Sequence, residues 1–437
     1  MAHWQRILYV AFIAQVVALI GFSFVNPFLP LYIQTFGIHG AAVPLWSGVI
    51  SFAQALAMAV ISPVWGTVAD RYGRKPMVVR AMAAGAVVVG LLIVAPTIWV
   101  VLLLRILQGM STGSTSASQA LVASVTPRAN MAMSMGLMQA AIFLGAAAGP
   151  LVGGIFNDHL GFHGTFAIGA GLLAAAALLV LVGIDEHFTR PPSTATTRRL
   201  NPYATARGVL ATPGLFAMAL VLGMAEFANV VPAPVLALFV QGLPDVPRVH
   251  GQPQAATSVG LILAIAGLCA SLASWRVQAL SRRFGYRRVL IAGAALAGLC
   301  YVPGLVVHAV WQLVLMRAAV GLCLGLAMPT ASAIVGLVTP EGQRAAAYSL
   351  ITSASSIGIA IGPLVGSILY AVQGMQLVFG VTAVLLVLVA VVVSRTVREP
   401  EIDDTAAGTP GVAGQSARPS PVSRIVTALR GYRGQAR

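Results

Sequence analysis

The stretch GAAAGPLVG at residues 145–153 returns as GIAIGPLVG at residues 358–366, 213 positions further on. Two other matches share that displacement to within one residue. Arg105-x-x-x-Gly109-x-x-x-Gly113 recurs as Arg317-x-x-x-Gly321-x-x-x-Gly325, and Thr126-Pro127 recurs as Thr339-Pro340. Three motifs at one offset mean that the chain repeats one plan twice. The plan is written in Gly and Pro, which set how closely helices approach and where they bend.

The sequence around the repeats says where these helices reside. Of 437 residues, 58% are hydrophobic and 8% charged. So few polar groups cannot cover a soluble surface, and the surplus apolar area needs lipid. Backbone groups find no water partners in hydrocarbon, which leaves helices or closed barrels. The apolar runs are long and continuous rather than ten-residue alternations, which speaks against a barrel. Twelve runs lie near 7–36, 46–68, 77–96, 98–123, 133–155, 163–184, 213–241, 255–280, 288–307, 310–337, 344–371 and 376–396. The expected fold is an all-α membrane protein: twelve transmembrane helices in two pseudo-symmetric six-helix bundles, residues 1–188 and 209–398. Residues 189–208, rich in Pro, Thr, Ser and Arg, read as a cytoplasmic linker. Residues 399–437 read as a disordered basic cytoplasmic tail.

The formal net charge of +15 would by itself suit nucleic acid. Its distribution argues otherwise. Arg248 alone lies in an odd-numbered connection, whereas the even-numbered ones carry Arg71, Arg74, Lys75, Arg128, Arg190, Arg198, Arg199, Arg282, Arg283, Arg287, Arg288 and Arg344. This is the positive-inside asymmetry, with both termini cytoplasmic and no nucleic-acid partner. The first run is too long for a signal peptide and lacks a clear A-x-A site, so it is expected to be an uncleaved span. Cys269, Cys300 and Cys323 fall inside helices without ligand spacing and read as small core residues, with no metal site.

Five features carry candidate chemistry. Gly66-Thr67-Val68-Ala69-Asp70-Arg71-Tyr72-Gly73-Arg74-Lys75 joins the second and third runs. Gly66 permits close helix approach and Gly73 a tight turn. Asp70 sits among cations, able to pair with Arg or to accept from the amides of a nearby helix N-terminus, and so to latch that side shut. The bland alternative is a topology anchor. In the fourth run, Arg105, Gln108, Thr112, Thr115 and Gln119 fall on one helical face, beside a small-residue face of Gly109, Gly113 and Ala117. A polar stripe in a membrane helix must face a partner or a water-filled cavity. The equivalent positions of the tenth run are Arg317, Val320, Leu324, Ala327 and Ala331, so polar chemistry belongs to the first half and apolar contact to the second.

In the fifth run Gly145, Gly149, Pro150, Gly153 and Gly154 suit tight packing and a bend. Glu226, one turn before Asn229, is the carboxylate that lies well inside a run, and Pro232 and Pro234 weaken the helix after it. A carboxyl in hydrocarbon is costly unless paired or protonated, which suits a proton carrier or a contact for cationic substrates. A structural carboxyl bonded to Asn229 is the alternative. In the first run Gln15 and Asn26 are polar, Asn26 is expected at the cavity, and Phe22, Phe24, Phe28 and Tyr32 are candidates for aromatic contact.

These motifs resemble the signatures of the major facilitator superfamily. The Gly66–Lys75 segment is similar to that family's loop between helices 2 and 3. Arg105–Gly113 resembles the second signature of its drug–proton antiporter branch, and Gly145-x-x-x-Gly149-Pro150-x-x-Gly153-Gly154 resembles the antiporter signature of helix 5. Residues 21–37, GFSFVNPFLPLYIQTFG, are similar to the first helix of bacterial multidrug exporters. The resemblance covers residues 6–398 and implies twelve spans, alternating access, proton-coupled export and a fifth helix that seals the pathway. One departure stands out. The second copy of the loop has Arg282 where Asp70 stands in the first, so the acidic latch is expected in the first half only.

No G-x-x-x-x-G-K-[ST] occurs and Lys75 is the single lysine, which excludes ATP hydrolysis by a P-loop in this chain. No cofactor and no enzymatic activity are expected. The expected function is proton-coupled efflux of small lipophilic or amphipathic organic compounds, by a monomer in a bacterial plasma or inner membrane. Export of a defined metabolite such as a sugar derivative is the alternative, and a non-transporting sensor or scaffold a third.

Overall fold

The computed structural model describes residues 3–111, 113–127, 130–186, 213–249, 252–339, 344–397 and 399. Thr112, the expected linker at 189–208 and the tail from residue 400 lie outside them, as do the side chains of Asp70 and Arg71 and the packing at Gly66. The chain runs through α1 (His3–Ser23), α2 (Leu29–Gln34), α3 (Ala42–Tyr72), α4 (Lys75–Leu91), α5 (Ile98–Met110), α6 (Ser114–Val125) and α7 (Met131–Gly183). It continues through α8 (Pro213–Val230), α9 (Leu236–Gln241), α10 (Ala255–Phe284), α11 (Tyr286–Tyr301), α12 (Val310–Val338) and α13 (Arg344–Thr396). Between α9 and α10 the two-residue strands β1 (Arg248–Val249) and β2 (Gln252–Pro253) pair antiparallel.

Among the described residues nine helices are long and apolar enough to cross a membrane. Two of them, α7 and α13, have 53 residues each. At 1.5 Å per residue each is about 80 Å long, more than twice a hydrocarbon core of ~30 Å. Both bend at a glycine in the left-handed region, Gly161 (φ 68°) and Gly374 (φ 73°), so each is long enough to form two spans. These two glycines stand 213 residues apart, as the sequence repeat requires. Bulky apolar side chains cover the periphery: Trp275 is 86% exposed and Val60 69%, the reverse of a soluble surface and right for lipid.

Three expected continuous helices are interrupted, for reasons of backbone chemistry. The run at 7–36 breaks at residues 24–28, around Pro27, and the run at 213–241 breaks at 231–235, around Pro232 and Pro234. Proline cannot donate to the ladder and clashes with the preceding turn. The run at 98–123 breaks before Gly113, whose φ of 111° no helix contains. The polar stripe of that run is therefore divided between α5 and α6 rather than carried on one helix. Gly109 packs against Gln54, but Gly113 has only the tip of Arg80 within 4 Å, so the expected small-residue face is not continuous either.

The helix-5 glycines act as spacers within the first half. An added Cβ at Gly145 would meet Leu19 at 2.5 Å, at Gly149 Ser23 at 2.5 Å, and at Gly153 Phe24 at 2.8 Å, all from α1 or the turn after it. The repeat holds in three dimensions: Gly358 and Gly362 press on Phe227, and Gly366 on Val231, at α8 and the turn that follows. Buried apolar side chains gather accordingly into one cluster built from residues 7–184 and two built chiefly from residues 218–397.

Candidate functional site

Two proline-broken segments, at 24–28 and 231–235, and the broken α5–α6 pair converge on a set of three adjoining cavities. The first, of 410 Å³, is lined by Phe22, Asn26, Gln54, Gln108, Thr115 and Gln119 among others. The second, of 270 Å³, lies between the halves and shares Asn26, Gln54 and Met58 with the first. The third, of 460 Å³, shares Val230, Ala233 and Leu263 with the second and carries Glu226, Asn229 and Arg317. Irregular backbone at membrane depth is tolerated where it lines such a cavity.

The first cavity is the polar one, as its sequence suggested. Arg105 is completely buried. Its guanidinium donates to the Gln108 Oε1 at 2.7 Å and to the Asn26 Oδ1 at 2.5 Å. Gln15 Nε2 donates to the Thr115 Oγ1 at 2.9 Å, tying α1 to α6. Both of these partners of Arg105 are neutral amides, and its buried Nε has no hydrogen-bond partner among the described residues. A cation at membrane depth costs about 3 kcal/mol, which these two hydrogen bonds offset in part. Of the candidate aromatic residues, Phe22 lines this cavity. Phe24, Phe28 and Tyr32 do not serve that purpose: all three are buried in the core. Tyr32 donates to the Leu92 carbonyl at 2.6 Å and packs on Phe36 and Phe166.

The third cavity is mostly apolar. Val320 and Leu324, the counterparts of Gln108 and Thr112, line it beside Phe143 and Leu263. Glu226 is partly buried there, with the Asn229 side chain in hydrogen-bonding reach of its carboxyl. Arg317 opens onto the same space and donates to the Tyr301 hydroxyl at 3.1 Å. Glu226 thus lines the third cavity, whereas Arg105 lines none of the three and meets the first only through Asn26 and Gln108.

Among the described residues, four carboxylates that the sequence did not single out perform one task, the capping of helix N-termini, where unpaired amides and the helix dipole favour negative charge. Glu186 accepts from the Arg74 amide at 3.0 Å and the Lys75 amide at 2.8 Å, at the start of α4. Glu399 accepts from the Tyr286 amide at 2.5 Å and the Arg287 amide at 3.1 Å, at the start of α11. Gly73 and Gly285 make the same turn beside them, with φ of 97° and 91°. The latch expected in the first half only was Asp70, whose side chain lies outside the described residues; besides it, each loop has a carboxylate clamp of its own. Glu186 and Glu399 stand 213 apart, a signal present in the repeat. Asp245 accepts from the Val310 amide at 2.8 Å, and Asp158 from the Thr257 amide at 2.7 Å. Asp70 and Arg71 occupy the last turn of α3.

The halves touch through two seams. Gly154 of α7 faces α10 so closely that an added Cβ would lie 3.0 Å from the Thr257 Cα, and one at Gly260 would lie 2.7 Å from the Leu151 Cα. In the other seam a Cβ at Gly48 of α3 would lie 2.7 Å from the Ser367 Cβ of α13. A polar contact also joins the halves: Gln34 Nε2, at the end of α2, donates to the Gln241 Oε1, at the end of α9, at 3.2 Å.

A family model for the Major Facilitator Superfamily matches residues 11–275 and 249–433. The chain is 31% identical over 383 residues to the multidrug resistance protein MdtG of Rahnella sp. (strain Y9602), covering 87% of this chain and 91% of the relative. It is 30% identical over 365 residues to the multi-drug resistance efflux pump PmrA homolog of Lactococcus lactis, covering 84% and 88%. Among solved structures, a bacterial homolog of the human lysosomal transporter Spinster, inward-facing and unoccupied, superposes with a TM-score of 0.72 at 15% identity, over 91% of this chain and 98% of that one. The nucleoside transporter NupG gives 0.72 at 15% identity, over 91% and 99%.

Proposed function

The chain belongs to the major facilitator superfamily, and on that premise we propose that it is a proton-coupled exporter of small lipophilic or amphipathic organic compounds. The observation that carries this is the set of three adjoining cavities, a polar one walled by the first half and two between the halves, apolar around Glu226. An apolar compound with a cationic group fits the third cavity: Phe143, Leu263, Val320 and Leu324 take its body and Glu226 its charge. The same carboxyl takes a proton when the compound is absent. Because one carboxyl cannot hold both, proton entry and compound exit are coupled. The names of the curated relatives, multidrug resistance proteins and an efflux pump, agree with this substrate range.

Twelve crossings arranged as two bundles, residues 1–188 and 209–398, with both termini cytoplasmic, accord with the basic residues beside Gly73 and Gly285. On that orientation the two seams and the Gln34–Gln241 contact lie on the outer side, and the chain is inward-facing. Asp70, Arg71 and their neighbours then act as the inner gate, and Arg105 with Asn26 and Gln108 acts on the proton site from the first cavity across the second. A monomer suffices, since both halves of the cavity come from one chain.

The test is substrate-dependent proton flux in proteoliposomes under an imposed pH gradient, comparing the native protein with Glu226→Gln at matched insertion. Flux and export should both fall by about tenfold or more in the variant. Full retention of both would remove Glu226 from the mechanism. The polar wall of Gln54, Gln108, Thr115 and Gln119 favours the second possibility, a hydrogen-bonding metabolite, which would show as competition by sugars rather than by lipophilic cations.

A further inference from the structure

Of the four carboxylates that cap helix N-termini among the described residues, three act within their own half. Asp158 does not. It sits on α7, in the first half, and its Oδ2 accepts from the Thr257 amide of α10, in the second, at 2.7 Å. The cap residue of α10, Gln254, offers no side chain to its own helix. The first turn of α10 therefore depends on the opposite half for its acceptor, and it loses that acceptor whenever the halves part. From Gly161, where α7 bends, to Glu186 the chain runs about 37 Å at 1.5 Å per residue, so Asp158 lies at the end remote from the α4 clamp.

A second observation fixes the location. Gly154 and Gly260 bring the two backbones together near the carboxylate and its donor, with no room for a side chain. The pseudo-symmetric seam has the same close approach, Gly48 on Ser367, but no charge: the counterpart of Asp158, 213 residues on, is Ala371. One seam closes by packing alone, and the other by packing plus a charged hydrogen bond.

We propose that Asp158 is a positioning residue of the transport cycle, an outer latch whose bond to the Thr257 amide holds that side shut and must break for it to open. The proposal rests on the alternating-access reading above. The bond is directional and short, so it is lost within the first ångström of separation. It therefore biases the resting state toward the closed outer side without opposing the motion once begun.

The experiment reads side-specific access rather than transport. In full-length protein with Cys269, Cys300 and Cys323 replaced, Ala55→Cys reports on the middle cavity, and a membrane-impermeant maleimide is applied to intact cells. Asp158→Ala should raise the rate of external labelling about five- to thirtyfold. Thr257→Pro removes the donor in the first helical turn, where proline is tolerated, and should raise it by a similar factor. The double variant should label no faster than the faster single one, because both changes delete one bond. Unchanged labelling in Asp158→Ala, with the reporter still reactive after permeabilisation, overturns the latch, as does a double variant whose effects multiply. Failure of the transport reading is separate: it appears as absent substrate-dependent proton flux in the native protein, whatever the labelling shows.

Discussion

Gly260→Ala isolates the closed seam from the fold. The added methyl carbon lies 2.7 Å from the Leu151 Cα and against the Pro150 carbonyl oxygen, both in the opposite half. Carbon atoms at rest sit ~3.5–4.0 Å apart, so the halves must separate by about 1 Å at this point to admit it. Overpacking of this kind costs about 1–3 kcal/mol, a factor of about 5–150 in an equilibrium. The cost falls only on the state in which the seam is closed. The state open on that side, in which Gly260 and Pro150 are apart, is unaffected, so the population shifts toward it. Gly366→Ala is the matched control. Its methyl would meet the backbone of Val231, 2.8 Å from the carbonyl carbon, but within the second half. That contact is present in every state, so this variant should unfold more easily without changing the populations. The assay is pulsed electron–electron resonance between spin labels at Leu160 and Trp311, both exposed, in the cysteine-replaced protein, with thermal unfolding measured in parallel. Gly260→Ala should add a longer distance to the distribution and lower export. A native distribution with native export in Gly260→Ala, or the same new distance in Gly366→Ala, refutes the reasoning.

Other substitutions probe the clamps and the buried cation. Glu186→Gln and Glu399→Gln should each cost about 1 kcal/mol of capping, seen as a fall of about 2–4 °C in Tm, and their effects should add because the two clamps share no residue; strongly non-additive shifts would mean the clamps are coupled. Arg105→Ala strips Asn26 and Gln108 of their donor and should abolish export while insertion persists. Arg105→Lys should restore little of it, since an ammonium cannot reproduce the forked pair of bonds, and native export in Arg105→Lys would show that charge alone matters. Asp70→Asn should insert normally and export poorly at matched surface expression; normal export removes Asp70 from the gate.

The repeats are readable in the sequence because glycine spacing is a local pattern, and the structure returns each as a helix contact: Gly145 on Leu19, Gly358 on Phe227. The breaks at Pro27 and Pro232 are signalled by proline itself. The break at Gly113 is not, because the same glycine sits in a regular helix at Gly325; a glycine permits a left-handed turn but does not demand one. Glu186 is easily passed over although its partner Glu399 stands at the repeat offset, since a carboxylate just past an apolar run reads as a solvated end. Asp158 and Asp245 carry no signal at all: their partners, Thr257 and Val310, are backbone amides 99 and 65 residues away.

The sequence by itself determined the solvent and the twofold plan, because each depends on residue type and spacing along one chain: apolar runs seek lipid, and glycines recur at 213. Tertiary structure alone decided which polar groups meet. Arg105 finds Asn26, 79 residues away, and Asp158 finds the first turn of a helix in the other half. Hydrogen bonds are short and directional, so their partners are fixed by how helices pack in space, a relation that no local pattern of residues encodes.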